Sequence, residues 1–259
     1  MVKRFDPTNH PNWLKPHSLE WYRQLSEQHG AYTYPWHSTL TVPNGESIFD
    51  KEVMDKIQNK KVLDVGCGHG EFALNCSAVA KEVIGFDITD RFIDKANENK
   101  KSNLSFVVGN SKHGLPFKQE EFDCAYIRKG PTSAYLLLHQ VVKKGGIVLG
   151  LHPGDDSGRE LPMLFPNLFT RNNNGTLHAI KQRLQASKFS DFQIETFNSI
   201  EYLHSPTDVI RLCCFGQTQI VYDFIFDNCI HFIDKIFQDN AVTEGLPITS
   251  ERHIVRAII

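Results

Sequence analysis

Three glycines at alternate positions follow an apolar run in this 259-residue chain: Gly66, Gly68 and Gly70 come directly after the segment VLDV. A glycine-rich turn between a buried strand and a helix lets a ligand approach the backbone, where amide groups can bond its polar atoms. The spacing does not fit a dinucleotide fingerprint, GxGxxG, because Glu71 occupies the third glycine position. A phosphate-binding P-loop needs a lysine followed by serine or threonine, and none follows here. The sequence therefore predicts a ligand turn of another class.

The elements around this turn must place it at the edge of a sheet. From about residue 46 the apolar periodicity alternates between helix and strand signals, which indicates βαβ units and a parallel sheet. Strands are predicted at residues 61–65, 82–87, 104–109, 122–128, 145–152, 191–198 and 253–259. Helices are predicted at residues 46–59, 71–80, 89–101, 132–144 and 176–188, the third of them capped by Thr89.

The first 45 residues do not join this alternation and form an N-terminal arm. Six ring-bearing side chains crowd its second half: Trp21, Tyr22, Tyr32, Tyr34, Trp36 and His37. Aromatic rings suit a pocket for a cationic ligand through cation–π attraction. On that interpretation Tyr22, Tyr34 and His37 are candidates for a lid. On the alternative interpretation the rings pack the arm onto the sheet.

Two later segments also stand outside the βαβ units. Residues 152–175 form a long loop rich in proline, glycine and asparagine, and loops of this length are often functional or disordered. Residues 205–238 have helical spacing, which predicts a helical cap at about residues 200–245, inserted before the last strand. We expect a single domain over residues 46–259 that carries this cap.

The composition narrows the class of protein. The formal net charge is −2, whereas nucleic-acid-binding domains are usually strongly basic, so we expect no nucleic acid partner. No segment approaches the roughly 20 apolar residues of a membrane span, and the N-terminus has no signal-peptide pattern. We therefore expect a cytoplasmic protein without membrane contact. The six cysteines form no zinc-type spacing, which predicts free thiols and no metal.

Several motifs in order resemble class I S-adenosylmethionine-dependent methyltransferases. The run DVGCGHG, residues 64–70, resembles motif I of that class, and IGFD, residues 84–87, resembles the acidic end of its next strand. Residues 107–127 resemble a stretch of the type 11 methyltransferase subgroup, and KKGGIVLG, residues 143–150, resembles the strand that follows. The resemblance implies a Rossmann-like α/β fold with a mostly parallel seven-stranded sheet and helices on both faces. It also implies S-adenosyl-L-methionine as cofactor and S-adenosyl-L-homocysteine as product.

The resemblance assigns donor contacts to particular residues. It implies that Asp87 accepts hydrogen bonds from both ribose hydroxyls and that Ile88 packs on the adenine. Asn110 stands where the subgroup often has an aspartate that bonds the adenine amino group, with Ser111 beside it, and an amide oxygen can still accept that bond. Asp64 either orients the turn and meets the methionine ammonium or only holds the loop. The other predicted cofactor contacts are Gly66, Cys67, Gly68, Ile127, Arg128 and Tyr22.

The segment YIRKGP, residues 126–131, ends a strand where the acceptor of such enzymes approaches. It lacks the Asn/Asp-Pro-Pro motif of amino-directed nucleic-acid and glutamine methyltransferases. Arg128 and Lys129 have three open interpretations: they hold an anionic group of the acceptor, one of them meets the donor carboxylate, or they form a solvated surface pair.

Methyl transfer from a sulfonium is an in-line displacement, so the protein must chiefly align the nucleophile and exclude water. A general base is needed only when the nucleophile holds a proton of high pKa. His152 at the end of a predicted strand, Asp155 just after it and His37 in the arm are the candidate bases. The alternative for each of them is an ordinary loop residue.

The sequence favours a methyltransferase that acts on an O, N or C atom of a small molecule, because the arm and the cap can close over a compact pocket. Two alternatives stay open. One is methylation of RNA or protein, and the other is a module that binds the donor without catalysis. A monomer or a homodimer is expected.

Overall fold

A computed structural model describes residues 5–170 and 175–259. The strands are β1 Ser38–Leu40, β2 Lys61–Val65, β3 Glu82–Asp87, β4 Leu104–Val108, β5 Phe122–Arg128, β6 Val142–Pro153, β7 Asp191–Leu203 and β8 Leu246–Ile258. The helices are α1 Leu19–His29, α2 Gly45–Lys56, α3 Glu71–Cys76, α4 Asp90–Asn97, α5 Tyr135–Val141, α6 Leu161–Leu164, α7 Thr176–Ala186, α8 Pro206–Cys213 and α9 Gln219–Asn240.

The strands form one sheet of eight, in the order β1-β7-β8-β6-β5-β2-β3-β4. Strand β2 pairs in parallel with β3 and with β5, and β3–β4 and β5–β6 are parallel as well. Strands β6 and β8 pair antiparallel. The expected Rossmann-like α/β fold is confirmed, but the count of seven strands is wrong. The eighth strand is β1, which pairs antiparallel with β7 although no strand is predicted in the arm.

Alternating side chains of the central strands feed two separate cores, as a pleated strand requires. On one face, Leu63, Phe86 and Ile127 pack with buried residues of α5 and α7. On the other face, Val62 and Tyr126 pack with buried residues of α2 and α3. Helices therefore cover both faces of the parallel region, which explains why its strands are nearly continuous apolar runs.

The chain divides into two compact units. Among the described residues, the first unit contains residues 5–42, 156–170 and 198–250, and the second contains residues 43–155, 175–197 and 251–259. Most of the predicted arm and all of the predicted cap fall in the first unit. The assignment of these two segments as a lid and a cap stays a prediction.

The first unit has its own apolar core, formed chiefly by α8, α9 and the short helix α6. Trp13 and Trp36 pack against this core, and Trp21 is buried with its indole N–H donating to the carbonyl of Phe215 at 2.8 Å. The helical segment predicted at residues 205–238 is confirmed as α8 and α9, with a break at residues 214–218.

Several predicted boundaries are wrong. Helix α5 ends at Val141, before residue 144, because Val142 adopts an extended conformation and pairs with Phe122 of β5. Strand β6 therefore begins before the glycine pair, and Lys143 and Lys144 lie in a strand rather than at a helix end. The predicted loop at residues 152–175 contains α6, and its residues 171–174 lie outside the described part of the chain.

Thr89 occupies the capping position of α4, but its side chain makes no capping hydrogen bond. Its backbone N–H donates instead to Asp87 Oδ1 at 2.9 Å, and its hydroxyl also interacts with the Asp87 carboxylate. The residue thus connects the start of α4 to the end of β3.

A network of charges in the second unit joins the start of α2 to the end of β5 and to the middle of β8. Glu46, in the first turn of α2, pairs with Lys129 at 2.7 Å, with Arg252 at 2.9 Å and with Arg128 at 3.5 Å. Burial alone would raise the pKa of Glu46, but the charges of these partners lower it to about 2. The carboxylate form is therefore strongly favoured in the folded state.

We expect Glu46→Gln to lower the free energy of opening of α2 by about 2 kcal/mol at pH 7, because it leaves three cations without their shared anion. Hydrogen exchange of the α2 amides measures this. The folded pKa lies below the unfolded value, so the contribution of Glu46 is full above about pH 5 and is lost as the pH falls toward 2. The difference between wild type and variant should shrink accordingly.

The matched control for this experiment is Asp94→Asn, which removes an exposed acid of α4. Its α2 amides should exchange as in the wild type. If Glu46→Gln leaves exchange in α2 unchanged at pH 7, the charge network does not stabilise that helix.

Candidate functional site

The glycine turn after β2 is tied to the end of β3 by backbone hydrogen bonds. The amides of Gly66 and Cys67 both donate to the carbonyl of Phe86, at 2.7 and 3.3 Å. Gly66, Gly68 and Gly70 have φ angles of 81°, 55° and 79°, a region that glycine occupies without steric cost. The three alternate glycines thus reverse the chain sharply and begin α3 directly after Gly70.

The turn after β5 approaches this glycine turn very closely. A Cβ on Gly66 would lie 2.7 Å from the Cα of Gly130 and 2.8 Å from Pro131 Cδ. A Cβ on Gly130 would collide with the carbonyl oxygen of Val65. Both glycines are therefore required by space, which places the segment after β5 directly against the predicted ligand turn.

Asp64 is the buried acid of this site, with 2% of its surface exposed. Its Oδ2 accepts a hydrogen bond from the Tyr126 hydroxyl at 3.0 Å, and its Oδ1 has no partner among the described residues. Burial raises the pKa of Asp64 to about 7, against the lowering effect of the Tyr126 hydrogen bond. A buried carboxylate oxygen without a partner is costly, so this atom is suited to a cationic or hydrogen-bond-donating ligand group.

Asp87 holds the turn from the end of β3. Its Oδ2 accepts from the amide of Gly68 and its Oδ1 from the amide of Thr89, both at 2.9 Å. Burial raises the pKa of Asp87, and the backbone hydrogen bonds partly offset this effect. Each carboxylate oxygen can accept a further bond, so the side chain can meet two hydroxyls while it holds the turn.

The residues after β3 and β4 lie beside this acid. Ile88 exposes 41% of its surface. The side-chain oxygen of Asn110 accepts a hydrogen bond from the amide of Lys112 at 2.9 Å. Asn110 thereby caps a short 3-10 helix that begins at Ser111. Ser111 is buried, and its hydroxyl lies 3.3 Å from that of Ser133. The Asn110 oxygen therefore has a structural role as well as a remaining lone pair.

Two of the predicted cofactor contacts have other surroundings. The Ile127 side chain is fully buried in the core that contains α5 and α7, and its contact with the cofactor stays a prediction. Arg128 forms a two-pronged pair with Asp50, at 2.8 and 2.9 Å, and its guanidinium lies 4.9 Å from the centre of the Phe72 ring. The interpretation of Arg128 and Lys129 as a solvated surface pair is therefore wrong.

His152 is not placed to act as a base. Only 1% of its surface is exposed, and its Nε2 lies 2.7 Å from the Tyr135 hydroxyl. Burial, together with the neighbouring His253 and Arg183, lowers the pKa of His152 to about 3. The sequence placed this residue correctly at the end of a strand, but the side chain points into the protein interior rather than toward a ligand.

Asp155 is engaged at the start of α7. Its carboxylate accepts hydrogen bonds from the amides of Thr176 and Leu177, the first two residues of that helix. Carboxylates are favourable at a helix N-terminus. This capping role from a distant part of the chain argues against Asp155 as the catalytic base.

His37 lies in the first unit and exposes 72% of its side chain. Its backbone amide donates to the buried Asp208 at 2.9 Å, and its Nδ1 lies 3.2 Å from the Arg211 guanidinium. The same Nδ1 lies 3.5 Å from Asp208 Oδ1, so a guanidinium and a carboxylate both lie near this ring nitrogen. A role for His37 in catalysis stays a prediction.

The aromatic residues of the arm pack around Phe215, between α8 and α9. Its ring centre lies 5.1 Å from that of Trp21, 5.4 Å from those of Tyr32 and Tyr34, and 5.5 Å from that of Trp36. Tyr22 packs edge-on against Trp21 at 5.0 Å. The structure therefore supports a packing role for these rings. They pack around Phe215 within the first unit, whereas the prediction was that they pack the arm onto the sheet.

Sequence analysis missed three residues of the second unit: Tyr126, Glu46 and Asp50. One signal was available for Tyr126, because a tyrosine within a buried apolar strand needs a partner for its hydroxyl. Glu46 and Asp50 pair with Arg128 and Lys129 at the end of β5, and such long-range contacts leave no local pattern in the sequence.

The described ranges, 5–170 and 175–259, contain no group of three or more His, Cys, Asp or Glu side chains that could hold a metal ion. No helix within those ranges is long and apolar enough to cross a membrane.

Comparison with known proteins identifies the family. A family model described as a methyltransferase domain matches residues 56–190, which is more than half of the chain. The chain therefore belongs to this methyltransferase family, and the resemblance to class I S-adenosylmethionine-dependent methyltransferases is confirmed.

The chain also resembles individual relatives. It is 32% identical over 102 residues to a sterol 24-C-methyltransferase of Debaryomyces hansenii, which covers 35% of this chain and 27% of the relative. It is 29% identical over 135 residues to the uncharacterized methyltransferase sll0829 of Synechocystis, which covers 45% of this chain and 62% of the relative. The matched regions thus span only about a quarter of the sterol enzyme and under two thirds of the Synechocystis protein.

One solved structure, of a functionally unknown protein from Deinococcus radiodurans R1, matches 91% of this chain and 97% of its own. The TM-score is 0.59 and the sequence identity 22%, so this likeness concerns the fold alone.

We expect Gly66→Ala to destabilise the protein by about 3 kcal/mol, since an alanine there meets the Gly130 backbone as well as an unfavourable φ angle. Gly145→Ala is the matched control, because Gly145 has a φ of 72° and nothing within 4 Å of its added Cβ. It should cost about 1 kcal/mol. Urea unfolding followed by far-ultraviolet circular dichroism compares the two, and equal losses would contradict the close approach.

Proposed function

We propose that this methyltransferase binds S-adenosyl-L-methionine at the carboxyl ends of β2, β3 and β4 and transfers its methyl group to a small-molecule acceptor. The main support for the donor site is that Asp64 is buried beside the glycine turn and that its Oδ1 has no partner among the described residues. Methyl donors of this kind carry an ammonium group, which such an oxygen would satisfy directly or through water.

The remaining donor contacts follow from the same edge of the sheet. Asp87 would accept hydrogen bonds from the two ribose hydroxyls, and it is fixed for this by the Gly68 and Thr89 amides. The exposed Ile88 side chain would pack on the adenine, and Asn110 would meet the adenine edge. Gly66, Cys67 and Gly68 would line the methionine end.

The donor supplies an electrophilic methyl group on a sulfonium, which needs no further activation by the protein. The residues of the chain would then position the two reactants and exclude water. Because His152 is buried against Tyr135 and Asp155 caps α7, we assign neither of them as a general base. His37 stays a candidate base, and Tyr22, Tyr34 and His37 stay candidates for a lid.

Two observations support a small acceptor. The relatives include sterol 24-C-methyltransferases, which act on small molecules by name, and the formal net charge of −2 offers no broad attraction to nucleic acid. An RNA acceptor is the competing candidate, because the chain is also 30% identical over 101 residues to a 23S rRNA uracil methyltransferase of Vibrio vulnificus. A cytoplasmic location and a monomeric or homodimeric state stay predictions.

We expect Asp87→Ala to weaken S-adenosylhomocysteine binding at least about tenfold, because it removes charge-assisted hydrogen bonds to the ribose. Isothermal titration calorimetry at pH 8 measures the loss. Asp87→Asn should lose less, since it retains one acceptor oxygen. Asp94→Asn, which removes an exposed acid on the next helix, should bind as the wild type does. Unchanged binding in Asp87→Ala would contradict this placement of the ribose.

The acceptor class is tested with S-adenosylmethionine labelled in the methyl group. We expect label to appear in the small-molecule fraction of a cell extract and not in RNA or protein. Asp87→Ala serves as the negative control for each fraction. Label in RNA would favour the competing candidate, and tight donor binding without any labelled fraction would favour a non-catalytic module.

A further inference from the structure

We propose that Tyr126 is a positioning residue of the donor site, whose hydroxyl holds one oxygen of Asp64 and leaves the other oxygen for the donor's ammonium group. This inference rests on the proposed function, because it takes S-adenosylmethionine or its product as the ligand. It concerns a residue that motif I does not contain and that reaches the site from another strand.

The sheet register brings the two side chains together. Asp64 of β2 and Tyr126 of β5 are direct partners in the parallel pairing of these strands, so both project from the same face of the sheet. The hydroxyl lies 3.0 Å from Asp64 Oδ2, and the two residues expose only 1% and 2% of their surface. A buried phenol that reaches a buried carboxylate is a stable and specific contact.

The chemistry of the pair leaves one acceptor vacant. A phenol has a single proton to donate, and Asp64 Oδ2 receives it, whereas Oδ1 is buried without a partner among the described residues. Tyr126 thus fixes the rotation of the carboxylate and determines which oxygen stays available. A ligand ammonium would complete the set of hydrogen bonds around Asp64.

The ring of Tyr126 cannot turn away from this contact. Phe72 of α3 packs edge-on against it, with ring centres 5.4 Å apart and planes at 80°. The Arg128 guanidinium lies 4.9 Å from the centre of the same Phe72 ring and pairs with Asp50 of α2. Tyr126 is therefore supported by packing from α3 and through it from the charge network at the start of α2.

The hydrogen bond also stabilises the charged form of Asp64. Burial raises the pKa of Asp64 to about 7, the Tyr126 hydroxyl and Arg128 lower it, and Asp87 raises it. The thiols of Cys67 and Cys76 are the other titratable groups that face this pair, and burial raises the pKa of both. Removal of the phenol should therefore raise the pKa of Asp64 and leave less carboxylate at neutral pH.

The test is the pH dependence of ligand binding by the full-length Tyr126→Phe variant, which keeps the ring. We expect S-adenosylhomocysteine to bind about fivefold more weakly than to wild type at pH 7 and about tenfold more weakly at pH 6. At pH 8.5 the difference should be less than about twofold, because Asp64 is then largely ionised in both proteins. Isothermal titration calorimetry at the three pH values gives these ratios.

A second ligand separates positioning from a general structural effect. 5′-Methylthioadenosine has the adenine, ribose and sulfur of the product but neither the ammonium nor the carboxylate. Its affinity should be equal in Tyr126→Phe and wild type at all three pH values. An equal loss for both ligands, or a loss for S-adenosylhomocysteine that does not change with pH, would overturn the inference.

Asp64→Asn provides a second route that retains the phenol. Its binding of S-adenosylhomocysteine should be weak, and the affinity should change with pH no more than that of 5′-methylthioadenosine. The added substitution Tyr126→Phe should then cause no further loss. A further loss equal to that seen in the wild-type background would overturn the positioning role. If wild type binds neither ligand, the proposed function itself fails, whereas wild-type binding with an unaltered Tyr126→Phe profile defeats this inference alone.

Discussion

The carboxyl ends of β2 and β5 depend on one close backbone approach, between Gly66 after β2 and Gly130 after β5. Neither position has space for a Cβ, so the two turns fix each other. That contact also holds the last residues of β5 in place, and their side chains point alternately to the two faces of the sheet. As a result Tyr126 reaches Asp64, and Ile127 enters the opposite core. The register of β5 against β2 and the pleat of β5 thus determine which of its side chains face Asp64.

Two carboxylates of the second unit show how environment separates residues of the same chemistry. Glu46 forms ion pairs with three cationic side chains, which lower its pKa to about 2. Asp64 is more deeply buried, and within the described residues its one hydrogen-bond donor is neutral and it forms no ion pair; its pKa is raised to about 7. The first is a fixed charge that stabilises α2, whereas the second can respond to a ligand charge at neutral pH. The carboxylate beside the glycine turn thus has no ion-pair partner in the described part of the chain, whereas Glu46 has three.

Local patterns predicted the fold well where local interactions decide it. The strands at residues 61–65, 82–87 and 122–128 begin and end where the sequence indicated, because short apolar runs between turns define them. The role of His152 could not be predicted in this way. Its burial depends on Tyr135, which is distant in sequence, and the helix that Asp155 caps begins 21 residues later. The partner of Asp64 likewise comes from strand pairing, which no single segment encodes.

The distribution of one residue type has an optical consequence. The chain has three tryptophans, Trp13, Trp21 and Trp36, and all of them belong to the first unit. Trp21 is buried with its indole bonded to a carbonyl, and Trp36 donates to Glu201. Intrinsic tryptophan emission therefore reports on the arm and on the helices around it. The unit that carries the glycine turn has no tryptophan, so a change in tryptophan emission reports on the surroundings of the first unit.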